Sequence, residues 1–147
     1  MTDAGAMRAE VEAANAAFYT AFETADLDAM LDLWLDDPET LCVHPGALPV
    51  RGTPAINRSW ALIMANTPYI QFFLTDVEVS LLQAGDRQVA SVTCTENVLT
   101  ADENTDQDSF GGAKAVATNV FVRTPEGWRL WIHHASPVLS QRHDEHE

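Results

Sequence analysis

The hydrophobic pattern of this chain changes period once, near residue 69, and that change limits the fold more than any other feature. Before it, apolar residues recur at helical spacing. Met7, Val11, Ala14, Phe18, Phe22 and Ala25 step by four and three along residues 6–25, which gathers them on one helical face. Glu10, Glu12 and Glu23 fall off that stripe. Asp26 can cap a second helix with Leu27, Met30, Leu31 and Trp34 as its buried side, and Asp36-Asp37-Pro38 stops it. A short strand over residues 40–44 ends at the turn Pro45-Gly46. Thr53 as N-cap and Pro54 at the first helical position open a third helix carrying Ile56, Trp60 and Ile63.

After residue 69 the period is two. Residues 70–82 alternate Asp76, Glu78 and Ser80 against Val77, Val79 and Leu81, the pattern of a half-buried strand. Gly85-Asp86 turns the chain into a second long strand over 87–100. Residues 101–113 read as a polar, acidic loop ending in Gly111-Gly112. Strands over 114–124 and 128–135 follow, joined by Pro125-Glu126-Gly127. Helices first and an antiparallel meander second describe an α+β fold, three helices packed on one face of a curved sheet.

The chain has 147 residues, 46% of them hydrophobic, which is one domain's worth with a core of about residues 7–136 and a polar tail over 137–147. Acidic residues number 22 against 8 basic, a formal charge of −14. A field of that sign repels phosphate backbones and anionic lipid, so neither nucleic acid nor a membrane surface is an expected partner. The acid is uneven: ten acidic and one basic residue in 1–40, four and three in 41–100, eight and four in 101–147. The excess belongs to helix exteriors and loops, as a solubility coat. Cys42 and Cys94 sit in apolar runs without a CxxC spacing and read as reduced, buried thiols. Without a basic and apolar leader at its start, the chain is expected to be cytoplasmic.

The last two strands are apolar on both faces. Trp128, Leu130, Ile132 and His134 alternate with Arg129, Trp131 and His133, and Val116, Val120 and Val122 with Ala115, Ala117 and Phe121. The helices can cover one face. The other calls for a second cover, and a homodimer packed through the sheets supplies it.

This layout resembles the nuclear transport factor 2-like superfamily, the cone-shaped fold of ketosteroid isomerase, scytalone dehydratase and the SnoaL-like cyclases. The resemblance rests on Phe18-Tyr19-Thr20-Ala21-Phe22-Glu23, Asp26-Leu27-Asp28-Ala29-Met30, Leu33-Trp34-Leu35-Asp36-Asp37, Cys42-Val43-His44-Pro45-Gly46, and the closing Gly127-Trp128-Arg129 and His133-His134-Ala135-Ser136. It implies a pocket between the helices and the concave sheet face, and dimerisation through the sheet. It does not imply one activity, because this fold hosts many.

Three positions carry the catalytic expectation. Anchored on Pro45-Gly46, the place where the isomerase keeps its catalytic aspartate belongs to His44. Counted without gaps from Asp26 it belongs to Cys42, on the same strand face. A histidine at that place is a credible general base. Asn119, nine residues before Trp128, resembles the place of an oxyanion-stabilising acid, and an amide can donate such a bond. His133 and His134 project to opposite faces, one to the cavity and one to the interface. The spacing does not decide which, and His134, in phase with Trp128, Leu130 and Ile132, stands as the catalytic candidate. Phe18 occupies the place of the isomerase's oxyanion tyrosine and cannot donate, which argues against ketosteroid isomerisation. Tyr19 lies about 100° away around the helix.

Phe18, Tyr19, Cys42, Trp60 and Phe121 are the expected ligand-binding residues. Glu96 reads as a carboxylate on an exposed strand face or paired with arginine. No spacing suggests a metal site, and the tail His143 and His146 could hold one only incidentally. No cofactor is expected. Two functions remain open: acid–base chemistry on a small neutral organic molecule (isomerase, cyclase, dehydratase or hydrolase), with His44 abstracting a proton and Asn119 steadying charge, or a dimeric ligand-binding or association module without turnover.

Overall fold

The computed structural model describes residues 3–101 and 110–139. The acidic stretch over 102–108 and the histidines of the tail lie outside the described residues. Helix α1 (Ala4–Glu23) starts at Asp3, whose carboxylate accepts from the Gly5 and Ala6 amides. Its inward stripe is Val11, Asn15, Phe18, Tyr19 and Ala21. Helix α2 (Leu27–Asp32) is capped by Asp26, which accepts from the Ala29 amide. These ends follow from short acidic side chains satisfying amides that the first turn leaves unpaired.

Helix α3 (Thr53–Ala65) departs from the expected cap. Gly52 is the N-cap, at φ 86°, and Thr53 is helical. The Thr53 hydroxyl instead accepts from the Asp37 amide at 3.0 Å and approaches the Leu35 carbonyl at 2.6 Å, so it ties α3 to the segment after α2.

Strand β1 (Leu41–Val43) pairs antiparallel with a two-residue strand β2 (Val50–Arg51), which alternation could not reveal in so short a run. The long strands are β3 (Ile70–Ala84), β4 (Arg87–Ala101), β5 (Phe110–Thr124) and β6 (Gly127–Pro137). Strand β5 therefore begins four residues before the expected start, inside the segment read as a loop. Sheet order is β2-β1-β6-β5-β4-β3, antiparallel throughout except where β1 runs parallel to β6. This is the α+β cone fold that the periodicity change calls for.

Strand β6 carries one irregularity that decides the site. Its pairing with β5 runs from Phe121 opposite Leu130 directly to Val120 opposite Ile132, leaving Trp131 as an extra residue. A bulge shifts the alternation by one. Trp128 and Leu130 point inward before it, His133 and Ala135 after it. The backbone of Leu130 is held meanwhile by Leu33 and Leu35, at 2.7 and 2.9 Å. The core lies between the helices and the concave face, with Phe18, Met30, Ile56, Trp60, Phe121 and Leu130 its largest fully buried side chains.

Candidate functional site

A pocket of about 270 Å³ opens between α1, α3 and the concave sheet. Its walls are mainly aromatic and aliphatic. Helix α1 supplies Phe18, Tyr19 and Phe22, α3 supplies Trp60 and Ile63, and β3 supplies Ile70 and Phe72. Edge-to-face contacts lock these rings together: Phe18 with Trp60 at 5.5 Å, Phe22 with Trp60 at 5.0 Å, and Tyr19 with Phe72 at 5.0 Å. Such pairs favour one rigid arrangement. Into this apolar surround project four titratable side chains, Tyr19, His44, Glu96 and His133, with Lys114 at an exposed position.

His44 stands just past β1 and packs edge-on against Trp60 at 4.8 Å. The Ser59 hydroxyl donates to the Ile56 carbonyl at 2.8 Å, so it offers His44 Nε2, 3.3 Å away, a lone pair. With the Ser59 proton so placed, a ring protonated on Nε2 leaves Nδ1 as the basic nitrogen. Burial holds this imidazole below its ordinary range, so it is neutral at pH 7. Cys42 Sγ lies 3.5 Å from Nε2 and 4.0 Å from Nδ1, and burial pushes its thiol up to about 12. That sulfur is a protonated neighbour of the base rather than a nucleophile.

Glu96 departs most from expectation. It is 4% exposed, in phase with Ala90, Val92 and Cys94 on the inner face of β4. Its partner is not an arginine but Tyr19, whose hydroxyl donates to Oε2 at 2.6 Å. Burial raises the carboxyl's pKa, and the tyrosine bond pulls it partly back. The Tyr19 phenol is itself driven far up by burial and by the facing Glu96, so it stays a donor.

Asn119 completes a buried network. Its Nδ2 donates to Asn15 Oδ1 at 2.8 Å and to the Tyr19 hydroxyl at 3.2 Å, and its Oδ1 meets His133 Nδ1 at 2.5 Å. Burial, and then the neighbouring His44 and His134, take the His133 pKa down to about 3. A neutral chain of side chains thus joins His133 to Glu96 behind the pocket wall.

Of the expected residues, His44, Phe18, Tyr19 and Trp60 line the pocket. Tyr19 does so beside Phe18 because the aromatic stripe of α1 is broad enough to bury both, at 4% and 1% exposure. Four do not line it. Asn119 is fully buried behind His133 and Tyr19 and touches no pocket space, so it cannot steady charge on a ligand directly. Phe121 is a core residue further along the same inner face of β5. Cys42 reaches the pocket only through His44. His134 is exposed on the outer sheet face with Val116, Thr118, Val120 and Ile132, because the extra Trp131 exchanges the faces of all that follows. The pocket histidine is His133. Glu96 was not among the expected site residues, although the phase of β4 carries the signal for it.

Among the described residues, no group of three His, Cys, Asp or Glu side chains could hold a metal ion, and no helix is long and apolar enough to cross a membrane.

The model of the SnoaL-like domain matches residues 11–140. The chain belongs to the SnoaL-like family. This SnoaL-like chain is similar in structure to a "putative dehydratase from the NTF2-like family" of Streptomyces avermitilis, with 48% identity, a TM-score of 0.81, and 92% of this chain and 99% of that one covered. A second similar structure, from Thiobacillus denitrificans, is a "putative calcium/calmodulin-dependent protein kinase type II association domain", at 31% identity, a TM-score of 0.68, and 87% and 94% coverage. An NTF2-like superfamily protein of Salmonella enterica shares the fold at 18% identity and a TM-score of 0.73, with 95% and 96% covered. No curated protein matches the SnoaL-like chain.

Proposed function

We propose that this SnoaL-like chain is an acid–base enzyme that removes water from a small, mostly neutral organic molecule. One observation carries the reading: a neutral imidazole, His44, and a carboxyl biased toward its protonated form, Glu96, line the same small apolar pocket. A base kept neutral and an acid whose burial favours its protonated form are the two halves of a proton-transfer site. The description of the Streptomyces protein as a dehydratase agrees with it.

In the proposed step, His44 Nδ1 takes a proton from the carbon beside a carbonyl. The released electron pair forms a carbon–carbon double bond as the carbon–oxygen bond of the β-hydroxyl breaks. Glu96 gives its proton to the departing oxygen, which leaves as water. The imidazolium and carboxylate then reset by exchanging the proton through solvent. Tyr19 keeps Oε2 of Glu96 occupied, which leaves Oε1 to carry the acidic proton. Asn119 acts behind the site, through His133 and Tyr19, rather than on the substrate.

The test is a panel of aromatic β-hydroxy ketones, followed by the absorbance of the enone that loss of water produces. Turnover that falls in His44→Gln and in Glu96→Gln supports the reading. Turnover unchanged in either variant, or absent for every member with wild type, counts against it.

A second reading is a dimeric association module without turnover. Its support is the outer sheet face, where Val116 is 46% and Trp131 37% exposed, together with the 31% identical association domain. We extend the dimer to the first reading as well, with a homodimer through that face. Light scattering at twice 16.1 kDa supports it, and a 16.1 kDa species at micromolar concentration ends it.

A further inference from the structure

The geometry points to His133 as the hydroxyl-reading group of the pocket: Asn119 holds its proton on Nδ1, so Nε2 faces the ligand as an acceptor and selects molecules that offer an O–H or N–H there. This rests on the reading of the pocket as the substrate site.

The tautomer follows by elimination along the buried network. Tyr19 spends its one proton on Glu96 Oε2, so at Asn119 it can only accept. The Asn119 Nδ2 satisfies that acceptor and the Asn15 Oδ1. Turning the amide over would set oxygen against both. The Asn119 Oδ1 must therefore be the atom 2.5 Å from His133 Nδ1, and an amide oxygen only accepts, so Nδ1 carries the hydrogen. Asn119 and His133 are direct partners across β5 and β6, which fixes their approach. A ring of this tautomer that stays neutral has a bare lone pair on Nε2. No hydrogen bond to Nε2 exists among the described residues, although the side chain lines the pocket.

Phe18, with ring centroids 4.7 Å apart, and Trp60 at 6.3 Å keep the imidazole from turning. The lone pair is thereby held in one direction. A ligand with an apolar group at that point would strip water from Nε2 and return nothing, while a hydroxyl restores the bond. The aromatic walls set the rest of the ligand as a flat, unsaturated body. The inferred class is therefore a small aromatic or conjugated molecule bearing a hydroxyl or amine, not its ether.

Long-range proton–nitrogen NMR of histidine-labelled protein reads the tautomer directly, and naphthol against methoxynaphthalene reads the selectivity. Wild type is expected to show His133 protonated on Nδ1 and to bind naphthol at least about ten-fold tighter than the ether. Asn119→Leu should release the tautomer to a mixture. His133→Phe should bind both probes alike. An Nε2-protonated ring, or equal binding of the two probes by wild type, overturns the inference and leaves the acid–base pair of His44 and Glu96 standing. Binding of neither probe, with no pocket resonance shifted, overturns the reading of the pocket and this inference with it.

Discussion

The Tyr19 hydroxyl donates to Glu96 Oε2 at 2.6 Å across the inner face of the sheet, joining a residue of α1 to a carboxyl of β4. This bond keeps a buried acid satisfied in a wall that is otherwise apolar. Tyr19→Phe removes it and also leaves Asn119 Nδ2 one acceptor short. A loss of about 1–3 kcal/mol is expected in urea unfolding, the usual cost of an orphaned buried polar group. The Glu96 titration should move further upward, because the lost bond is the one influence that lowers it. Unchanged stability together with an unmoved Glu96 would remove the bond from both roles.

His133 makes stability depend on acid. Its folded pKa is about 3, below the ordinary 6.5. Between those values the unfolded chain binds a proton that the folded chain refuses. The stability contributed is present above 6.5 and is lost as pH falls toward 3. Glu96, raised instead, acts in the opposite sense, with its contribution present at low pH and lost as pH rises through its folded value. Urea unfolding from pH 7 to 4 should show stability falling with acid in wild type, and a shallower fall in His133→Phe. Parallel curves would contradict the buried neutral imidazole.

His44 is half-buried and its loss should be felt in chemistry more than in folding. His44→Gln is expected to lower kcat by about 10²–10⁴, the span that general base catalysis commonly supplies. Its circular dichroism and melting temperature should stay close to wild type. The acid limb of the wild-type rate profile should lie below the ordinary histidine value, since burial lowers this imidazole. A limb above 6.5, or a variant of full activity, would take the base role from His44.

Trp60 is 1% exposed and braces Phe18, Phe22 and His44 at once. Trp60→Ala should cost about 3–5 kcal/mol by calorimetry or urea unfolding, the range for emptying a buried aromatic site. A cost below about 1 kcal/mol would mean that the pocket wall collapses into the space rather than holding it open.

The outer sheet face offers a test apart from the pocket. Val116→Asp places a charge on the outer face with Thr118, Val120 and Ile132 without reaching the inner wall. Light scattering should then fall from twice 16.1 kDa to that mass, with the pocket aromatics unchanged in near-ultraviolet dichroism. A dimer that survives the substitution is packed elsewhere.

How far the sequence could be read depended on whether a signal was local. The period change near residue 69, the cap at Asp26 and the inner stripe of α1 are local, and the helices and long strands follow from them. His44 was legible because Pro45-Gly46 marks the end of its strand. His134 was misplaced because strict alternation cannot register the extra residue at Trp131, whose position is fixed by pairing with β5 and by Leu33 and Leu35. Asn119 was placed on the correct face but at the wrong depth, since only the packed side chains of Tyr19 and His133 put it behind the wall. Glu96 was missed because composition makes an exposed carboxylate the ordinary case. Its partner, Tyr19, lies 77 residues away in the chain.

The acid–base pair is tested most directly by carbon NMR titration of the Glu96 carboxyl, with assignment by Glu96→Gln and no substrate required. A midpoint clearly above the ordinary value of 4.5, with His44 titrating below 6.5 in the same samples, is the result expected of a buried acid, biased toward its protonated form, facing a neutral base. A Glu96 midpoint at or below 4.5 would make the carboxyl a fixed anion in the pocket and would contradict its role as the acid.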